Sequence, residues 1–345
     1  MDVRLTHIDG KLPNIALMKL SHWHRAQGDS VFLQRIPQPS LFEPQYDKVY
    51  ASTIFQWSEP VIERLLAAYP DAIIGGTGDQ SNFRSVEEHI GLPEYEFYDY
   101  SIYPDYEFSI GFTQRGCRLK CGFCVVPAKE GKPRSVNTIS DIWRQGSPRS
   151  IVLLDNDFFG QPEADWKERL EEVKDGGFKV NFCQGINIRM ITDESAAAIA
   201  SVRYYDTNFK SRRIYTAWDN VGQEKVFFRG FQRLKDAGVR PGHVMVYMLI
   251  GYKPGETMDE IMYRYQRLKK SGCLPYPMVY NNHDKALKRF QKWVVRRYDA
   301  IVPWEEFSKK EVNNGDSGDT RRHPGAGQEV ERATSFDGGL LPRTG

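Results

Sequence analysis

Between residues 107 and 280 the chain repeats one unit, a short apolar run followed by a helical pattern. This alternation predicts parallel strands joined by crossover helices, because neighbouring parallel strands need a long connection. The six predicted strands are 107–113, 150–154, 179–182, 213–217, 243–249 and 277–280. Six such units predict an α/β fold with a partial (β/α)6 TIM-like barrel, whose chemistry lies at the carboxyl ends of the strands.

The first 92 residues also alternate, on a smaller scale, and predict a small Rossmann-like α/β domain in front of the barrel. Its predicted strands are 15–18, 31–33, 48–51 and 72–74, and its predicted helices are 21–27 and 60–68. The last strand runs into the turn Gly75-Gly76-Thr77-Gly78. This turn lacks the lysine of a P-loop and the spacing of a dinucleotide fingerprint, so we interpret it as a tight strand exit.

Changes of composition mark the remaining boundaries. Residues 93–106 form an acidic, tyrosine-rich segment between Pro93 and Pro104 and predict a connector between the two domains. The barrel domain then covers residues 107–308. Residues 309–345 carry almost no apolar periodicity, so burial cannot offset the entropy of ordering them, and we expect a disordered tail.

Composition excludes several classes of protein. The 345 residues are 40% apolar, 13% aromatic and 27% charged, which is unlike collagenous, wholly disordered or coiled-coil chains. The longest apolar run, 244–251, is too short to span a membrane, and residues 1–11 are too polar for a signal peptide. We therefore expect a cytoplasmic protein with no membrane partner.

Three of the five cysteines lie together, directly after the first predicted barrel strand. Cys117, Cys121 and Cys124 have the spacing C-x3-C-x2-C. Three thiolates on one loop can each bind one iron of a [4Fe–4S] cluster and leave the fourth iron without a protein ligand. A zinc site would need a fourth ligand from elsewhere, such as Cys183 or a histidine. A non-catalytic iron–sulfur or zinc protein is therefore one alternative.

The cysteine triplet, with Phe123 just before its last cysteine, resembles the signature of radical S-adenosylmethionine (radical SAM) enzymes, and six strand–helix units resemble their partial barrel. The resemblance covers about residues 107 to 280. It implies that the three cysteines hold a [4Fe–4S] cluster and that S-adenosylmethionine is cleaved reductively to a 5′-deoxyadenosyl radical. It also implies an electron donor such as flavodoxin or ferredoxin, and leaves the substrate and any catalytic side chain open.

The resemblance also implies where S-adenosylmethionine binds. The family places a short motif, often Gly-Gly-Glu, after the second strand to bind the methionyl ammonium. Here Asp155-Asn156-Asp157 stands in that place, and carboxylates suit the role because charge-assisted hydrogen bonds are strong. The other expected cofactor-binding residues are Phe123 on the cysteine loop, Gln184, Asn187 and Arg189 after the third strand, Asp219 and Asn220 after the fourth, and Ile250 and Gly251 after the fifth. Helix capping and core packing are the alternative roles.

The segment after the cysteines, Val125-Val126-Pro127 with Gly131, Arg134 and Ser135, is similar to that of methylthiotransferases and cobalamin-dependent radical SAM proteins. Methylthiotransferases need three further cysteines, but none precedes Cys117. The residues around His22 and His24 do not match the cobalt-ligating motif Asp-x-His-x-x-Gly. We therefore expect residues 1–92 to be a degenerate cobalamin-binding-like domain without histidine-ligated cobalamin. A cobalamin-dependent radical SAM methylase of a macromolecule stays open as an alternative.

Residues 285–297 predict an amphipathic helix. Its apolar face carries Leu287, Phe290, Trp293 and Val294, and its basic face carries Lys285, Lys288, Arg289, Lys292, Arg296 and Arg297. We expect the apolar face to pack on the barrel and leave the charges in solvent. Binding of nucleic acid by the basic face is the alternative.

Overall fold

A computed structural model describes residues 1–78 and 85–313. The protein is mixed α/β, and its main sheets are parallel. The strands are β1 Asp2–His7, β2 Ser30–Gln34, β3 Lys48–Thr53, β4 Ile73–Gly76, β5 Ser109–Gly111, β6 Gln114–Arg115, β7 Arg134–Ser135, β8 Ser150–Leu153, β9 Lys179–Phe182, β10 Arg203–Tyr204, β11 Ile214–Ala217, β12 Val244–Ile250 and β13 Leu274–Val279. The α-helices are α1 Ile15–Ala26, α2 Glu59–Ala68, α3 Val86–Ile90, α4 Val126–Glu130, α5 Ile139–Ile142, α6 Glu163–Asp175, α7 Asp193–Ser201, α8 Glu224–Asp236, α9 Met258–Lys270, α10 Lys285–Val295 and α11 Trp304–Asn313.

The N-terminal domain is one parallel sheet in the order β2-β1-β3-β4. The predicted strand 15–18 is wrong: these residues form the first turn of α1, where the Asn14 side chain accepts a hydrogen bond from the Leu17 backbone. The central strand β1 was not predicted. Its buried Arg4, Thr6 and His7 interrupt the apolar pattern, and Arg4 is buried because it pairs with Glu43.

All six strands predicted for the second domain are present as β5, β8, β9, β11, β12 and β13. They lie in two parallel sheets, one in the order β10-β9-β8-β5 and the other in the order β11-β12-β13. The short strand β10 pairs with the start of β9, and beyond the end of β9 the Ile186 amide donates to the Tyr215 carbonyl of β11 at 2.8 Å. The strand order within each sheet therefore follows the chain.

The connector packs between the domains. Ile102 and Tyr103 are buried in one apolar cluster with Val3 of the N-terminal sheet and Ile110 of β5. The Tyr103 hydroxyl is 2.9 Å from His7 Nδ1. Aromatic side chains of the predicted connector therefore fill the core shared by the two domains.

The C-terminal end differs from the predicted boundary at 309, since α11 continues to Asn313. The rest of the predicted tail, residues 314–345, lies outside the described residues. Within the described parts of the chain, no helix has the length and apolar character needed to cross a bilayer.

Gly230 of α8 packs closely against the backbone at Ile188. A Cβ atom on Gly230 would lie 2.0 Å from the Ile188 carbonyl oxygen. Alanine favours an isolated helix by about 1 kcal/mol over glycine, but forced overpacking costs about 1–3 kcal/mol. We predict that Gly230→Ala lowers the free energy of unfolding, measured by urea denaturation.

The matched control is Gly242→Ala, where a Cβ atom meets no atom within 4 Å. This variant should unfold like the native protein. A Gly230→Ala variant that is more stable than the native protein would show that α8 does not approach the backbone at Ile188.

Candidate functional site

The three clustered cysteines lie on residues 112–125, the cysteine loop, which joins β5 to α4 and begins with the short strand β6. Cys117, Cys121 and Cys124 are half-buried and form no disulfide. The Leu119 amide donates to the Cys117 sulfur at 3.4 Å. Gly116 has φ +80°, and a Cβ atom there would lie 2.3 Å from the Lys132 carbonyl oxygen, so this turn requires glycine.

The three thiols interact electrostatically. Burial, with smaller contributions from the charges of Asp157, Cys124 and Cys121, raises the pKa of Cys117 to about 11. Burial also raises the pKa of Cys124, with a further contribution from Cys121. The thiols of Cys117 and Cys124 are therefore hard to ionise, and a bound cation would favour their thiolate forms.

Asp155, directly after β8, holds the start of the cysteine loop. Its buried carboxylate accepts hydrogen bonds from the Thr113 amide at 2.7 Å, the Thr113 hydroxyl at 2.5 Å and the Gln114 amide at 3.0 Å. Burial raises the pKa of Asp155 to about 7, against the three hydrogen bonds that favour its charged form. Asp155 is a positioning residue for the loop.

Asp157 holds the middle of the loop. Its carboxylate accepts from Arg118 Nε at 2.7 Å, Arg118 Nη2 at 2.8 Å and the Arg118 amide at 3.2 Å. The Asp157 amide donates to Gln114 Oε1 at 3.0 Å, and Gln114 Nε2 donates to the carbonyls of Arg115 and Gly116 at 2.6 and 2.8 Å. The bidentate ion pair between Asp157 and Arg118 fixes the residue next to Cys117.

Asn156 reaches the loop through Glu130 at the end of α4. The Glu130 carboxylate accepts from Asn156 Nδ2 at 2.7 Å, from the Gly116 amide at 3.0 Å and from Arg115 Nη2 at 2.8 Å. All three residues expected to bind the methionyl ammonium therefore contact the cysteine loop or its flanks. This supporting role was not predicted from the sequence, and binding of the methionyl ammonium stays a prediction.

Of the residues predicted after the third strand, Arg189 lies near Cys121 and Gln184 lines a cavity. Arg189 Nη2 is 3.8 Å from the Cys121 sulfur. Asn187 Nδ2 is buried and has no hydrogen-bond partner among the described residues. An unpaired buried amide is costly, so Asn187 Nδ2 is suited to donate a hydrogen bond to a ligand.

The residues predicted after the fourth and fifth strands have structural contacts. Asp219 Oδ1 accepts from the Leu249 amide at 2.9 Å, and Asn220 caps a short helix by accepting from the Gly222 amide at 2.8 Å. Ile250 is fully buried. Gly251 has φ +77°, and a Cβ atom there would lie 2.4 Å from Leu287 Cδ1.

Tyr252, which follows β12, was not predicted and contacts the cysteine loop. Its ring packs edge to face on Phe123 with the centroids 5.2 Å apart, and on Tyr280 after β13 at 4.9 Å. A Cβ atom on Gly122 would lie 2.7 Å from the Tyr252 hydroxyl. Segments after β8, β9 and β12 therefore contact the loop that follows β5, and Tyr280 after β13 packs against Tyr252.

The amphipathic helix is present as α10, and its apolar face is buried as predicted. Lys288 Nζ donates to Gln291 Oε1 at 3.2 Å, and Arg289 Nη1 donates to the Ser308 carbonyl at 3.2 Å. Packing accounts for the apolar face. Binding of nucleic acid by Lys285, Lys288, Arg289, Lys292, Arg296 and Arg297 stays a prediction.

Among residues 1–78 and 85–313, no three His, Cys, Asp or Glu side chains already have the arrangement of metal ligands. Comparison with known proteins finds no matching family model, no similar curated protein and no similar solved structure. Function must therefore be inferred from the chemistry of the site.

The buried Asp155 gives a test of this network. Its pKa is about 7 in the folded protein against 3.8 unfolded, so the folded state binds the extra proton and the free energy of unfolding falls as pH rises between these values. Asp155→Asn cannot titrate, and its amide can donate to the Thr113 hydroxyl. We predict that the native protein loses stability relative to this variant between pH 5 and 7.

Urea denaturation of both proteins at several pH values measures the difference. Parallel pH profiles would show that Asp155 is ionised in the folded protein across this range.

Proposed function

We propose that this protein is a radical SAM enzyme that binds a [4Fe–4S] cluster and cleaves S-adenosylmethionine to act on a substrate not yet identified. The observation that carries the proposal is the C-x3-C-x2-C triplet of Cys117, Cys121 and Cys124 on a loop that segments after three other strands contact. We also propose that the six parallel strands of the second domain together form a partial (β/α)6 barrel, with this loop at its carboxyl end.

The residues of the loop fit a cluster in number and chemistry. Three thiols are the protein ligands of a cubane that keeps one open iron. When bound, such a cluster supplies the electron that cleaves S-adenosylmethionine. Arg189 places a positive charge 3.8 Å from the Cys121 sulfur, and Asp157 holds the neighbouring backbone through Arg118.

The remaining cysteines do not complete a four-cysteine zinc site. Cys183 is buried in the apolar cluster that contains Val3 and Ile110, and Cys273 is buried in the other cluster, with Leu268. Burial raises the pKa of Cys273 to about 12 and raises that of Cys183 well above its ordinary value, which disfavours thiolate ligands at both positions. Structural zinc closed by Cys183 or Cys273 is therefore disfavoured, and zinc closed by a histidine stays within the non-catalytic alternative.

The cobalamin-dependent alternative is favoured by a cavity of about 1510 Å³ that residues of both domains line. His24 is engaged elsewhere, since its ring nitrogens contact Asp29 at 2.7 Å and Tyr50 at 3.1 Å. His22 Nδ1 is 2.6 Å from the Tyr95 hydroxyl. These contacts support the expectation that no cobalamin is ligated by His22 or His24.

Anaerobic reconstitution with iron and sulfide tests the cluster. We predict about four irons per chain, which is the stoichiometry of one cubane. Cys121→Ala removes a ligand and should lose the cluster, measured as iron content and visible absorbance. Cys183→Ala and Cys273→Ala remove buried thiols outside the loop and should keep the iron content of the native protein.

Full iron content in Cys121→Ala would contradict the assignment of the ligands. One tightly bound zinc per chain, with iron excluded, would favour the non-catalytic alternative.

A further inference from the structure

The cavity between the domains is large enough for a substrate. At about 1510 Å³ it exceeds the roughly 300–1,000 Å³ of pockets for drug-sized ligands. The N-terminal domain contributes Thr53 and Thr77 to its lining, and the barrel domain contributes Lys129, Asn156 and Gln184. The cavity therefore extends from the N-terminal sheet to residues beside the cysteine loop.

On the N-terminal side, the glycine turn after β4 faces this cavity. Gly76 has φ +109°, and a Cβ atom there would lie 2.0 Å from the Thr53 carbonyl oxygen. A Cβ atom on Gly78 would lie 2.7 Å from Thr53 Oγ1. The turn therefore lies in close contact with the end of β3, and Thr77, between Gly76 and Gly78, lines the cavity.

The glycine turn contains no lysine of its own, but a lysine of the barrel domain contacts it. Lys129 of α4 donates from Nζ to Thr77 Oγ1 at 3.1 Å. Among the described residues, no carboxylate lies within ion-pair distance of this ammonium. Burial lowers the pKa of Lys129, so the charged form is held there at a cost that an anion would offset.

The other half-buried and buried cations of the lining are already paired. Lys19 contacts Glu87 at 2.7 Å and Glu96 at 2.6 Å, and Arg115 contacts Glu130 at 2.8 Å. Lys129 differs from them because its hydrogen-bond partner, Thr77, is neutral. The nearby Glu130 carboxylate favours the charged form of Lys129, but its own hydrogen bonds go to Arg115, Asn156 and the Gly116 amide. A hydroxyl and an ammonium that meet beside a glycine turn are donors suited to phosphate oxygens.

We propose that this cavity receives the substrate of the radical reaction and that Lys129 and Thr77 bind a phosphate group of that substrate. The inference rests on the proposed function for the reaction, whereas the phosphate site rests on the contacts of Lys129. Glu130, the next residue, accepts from the Gly116 amide on the cysteine loop. A phosphate ester bound at Lys129 is thus anchored beside the loop, with Asn156 and Gln184 along the rest of the cavity.

Isothermal titration of the reconstituted protein with inorganic pyrophosphate tests the site. We expect saturable binding that is weaker by roughly tenfold or more in Lys129→Met, because a hydrogen bond from a charged group is lost. Thr77→Val should weaken binding less. Lys270→Met removes an exposed lysine that does not line the cavity and should bind as the native protein does.

Competition identifies the source of the phosphate. Displacement of pyrophosphate by adenosine monophosphate, but not by adenosine, indicates a small phosphate ester, and displacement by a single-stranded oligonucleotide alone indicates a nucleic-acid strand; both support the phosphate site. No saturable binding to the native protein would overturn the proposal. So would equal affinity in a Lys129→Met variant with the native unfolding midpoint.

These outcomes are separable from the fate of the proposed function. Pyrophosphate binding without an iron cluster keeps the phosphate site and removes the radical reaction. An iron-loaded protein without pyrophosphate binding removes only the phosphate site.

Discussion

The buried carboxylate of Asp155 and the Asp157–Arg118 ion pair are the interactions on which the site depends. Together they join the end of β8 to the start and the middle of the cysteine loop. The strand end that carries Asp155 and Asp157 is fixed in the sheet, so its hydrogen bonds, among them the charge-assisted pair of Asp157 with Arg118, order the loop. Polar groups that are buried and fully bonded also specify one conformation, because any alternative leaves a charge unpaired.

The sequence predicted those parts of the structure that depend on local pattern. Short apolar runs placed the six strands of the second domain, and helical spacing placed the buried face of α10 around Phe290. Local pattern failed where tertiary contacts override it. The strand β1 was hidden because Arg4 and His7 are buried through distant partners, and residues 15–18 are apolar enough for a strand but begin a helix capped by Asn14.

In the candidate site, too, local features were predictable from the sequence and tertiary contacts were not. The spacing of Cys117, Cys121 and Cys124 was visible in the sequence, as was the polar segment after the second strand. Contacts between residues that are distant in the sequence were not visible there. Nothing near Tyr252 or Lys129 in sequence indicates that one packs on Phe123 and the other reaches Thr77 in the N-terminal domain. Such pairs depend on how the strand ends converge and how the domains meet.

The reaction proposed for the cysteine loop is reductive cleavage of S-adenosylmethionine. The most direct measurement is the amount of 5′-deoxyadenosine formed when the anaerobically reconstituted protein is mixed with S-adenosylmethionine and dithionite, followed by chromatography and mass spectrometry. We predict that the native protein forms 5′-deoxyadenosine and that the Cys124→Ala variant forms none. A native protein that carries four irons per chain and forms no 5′-deoxyadenosine would contradict it.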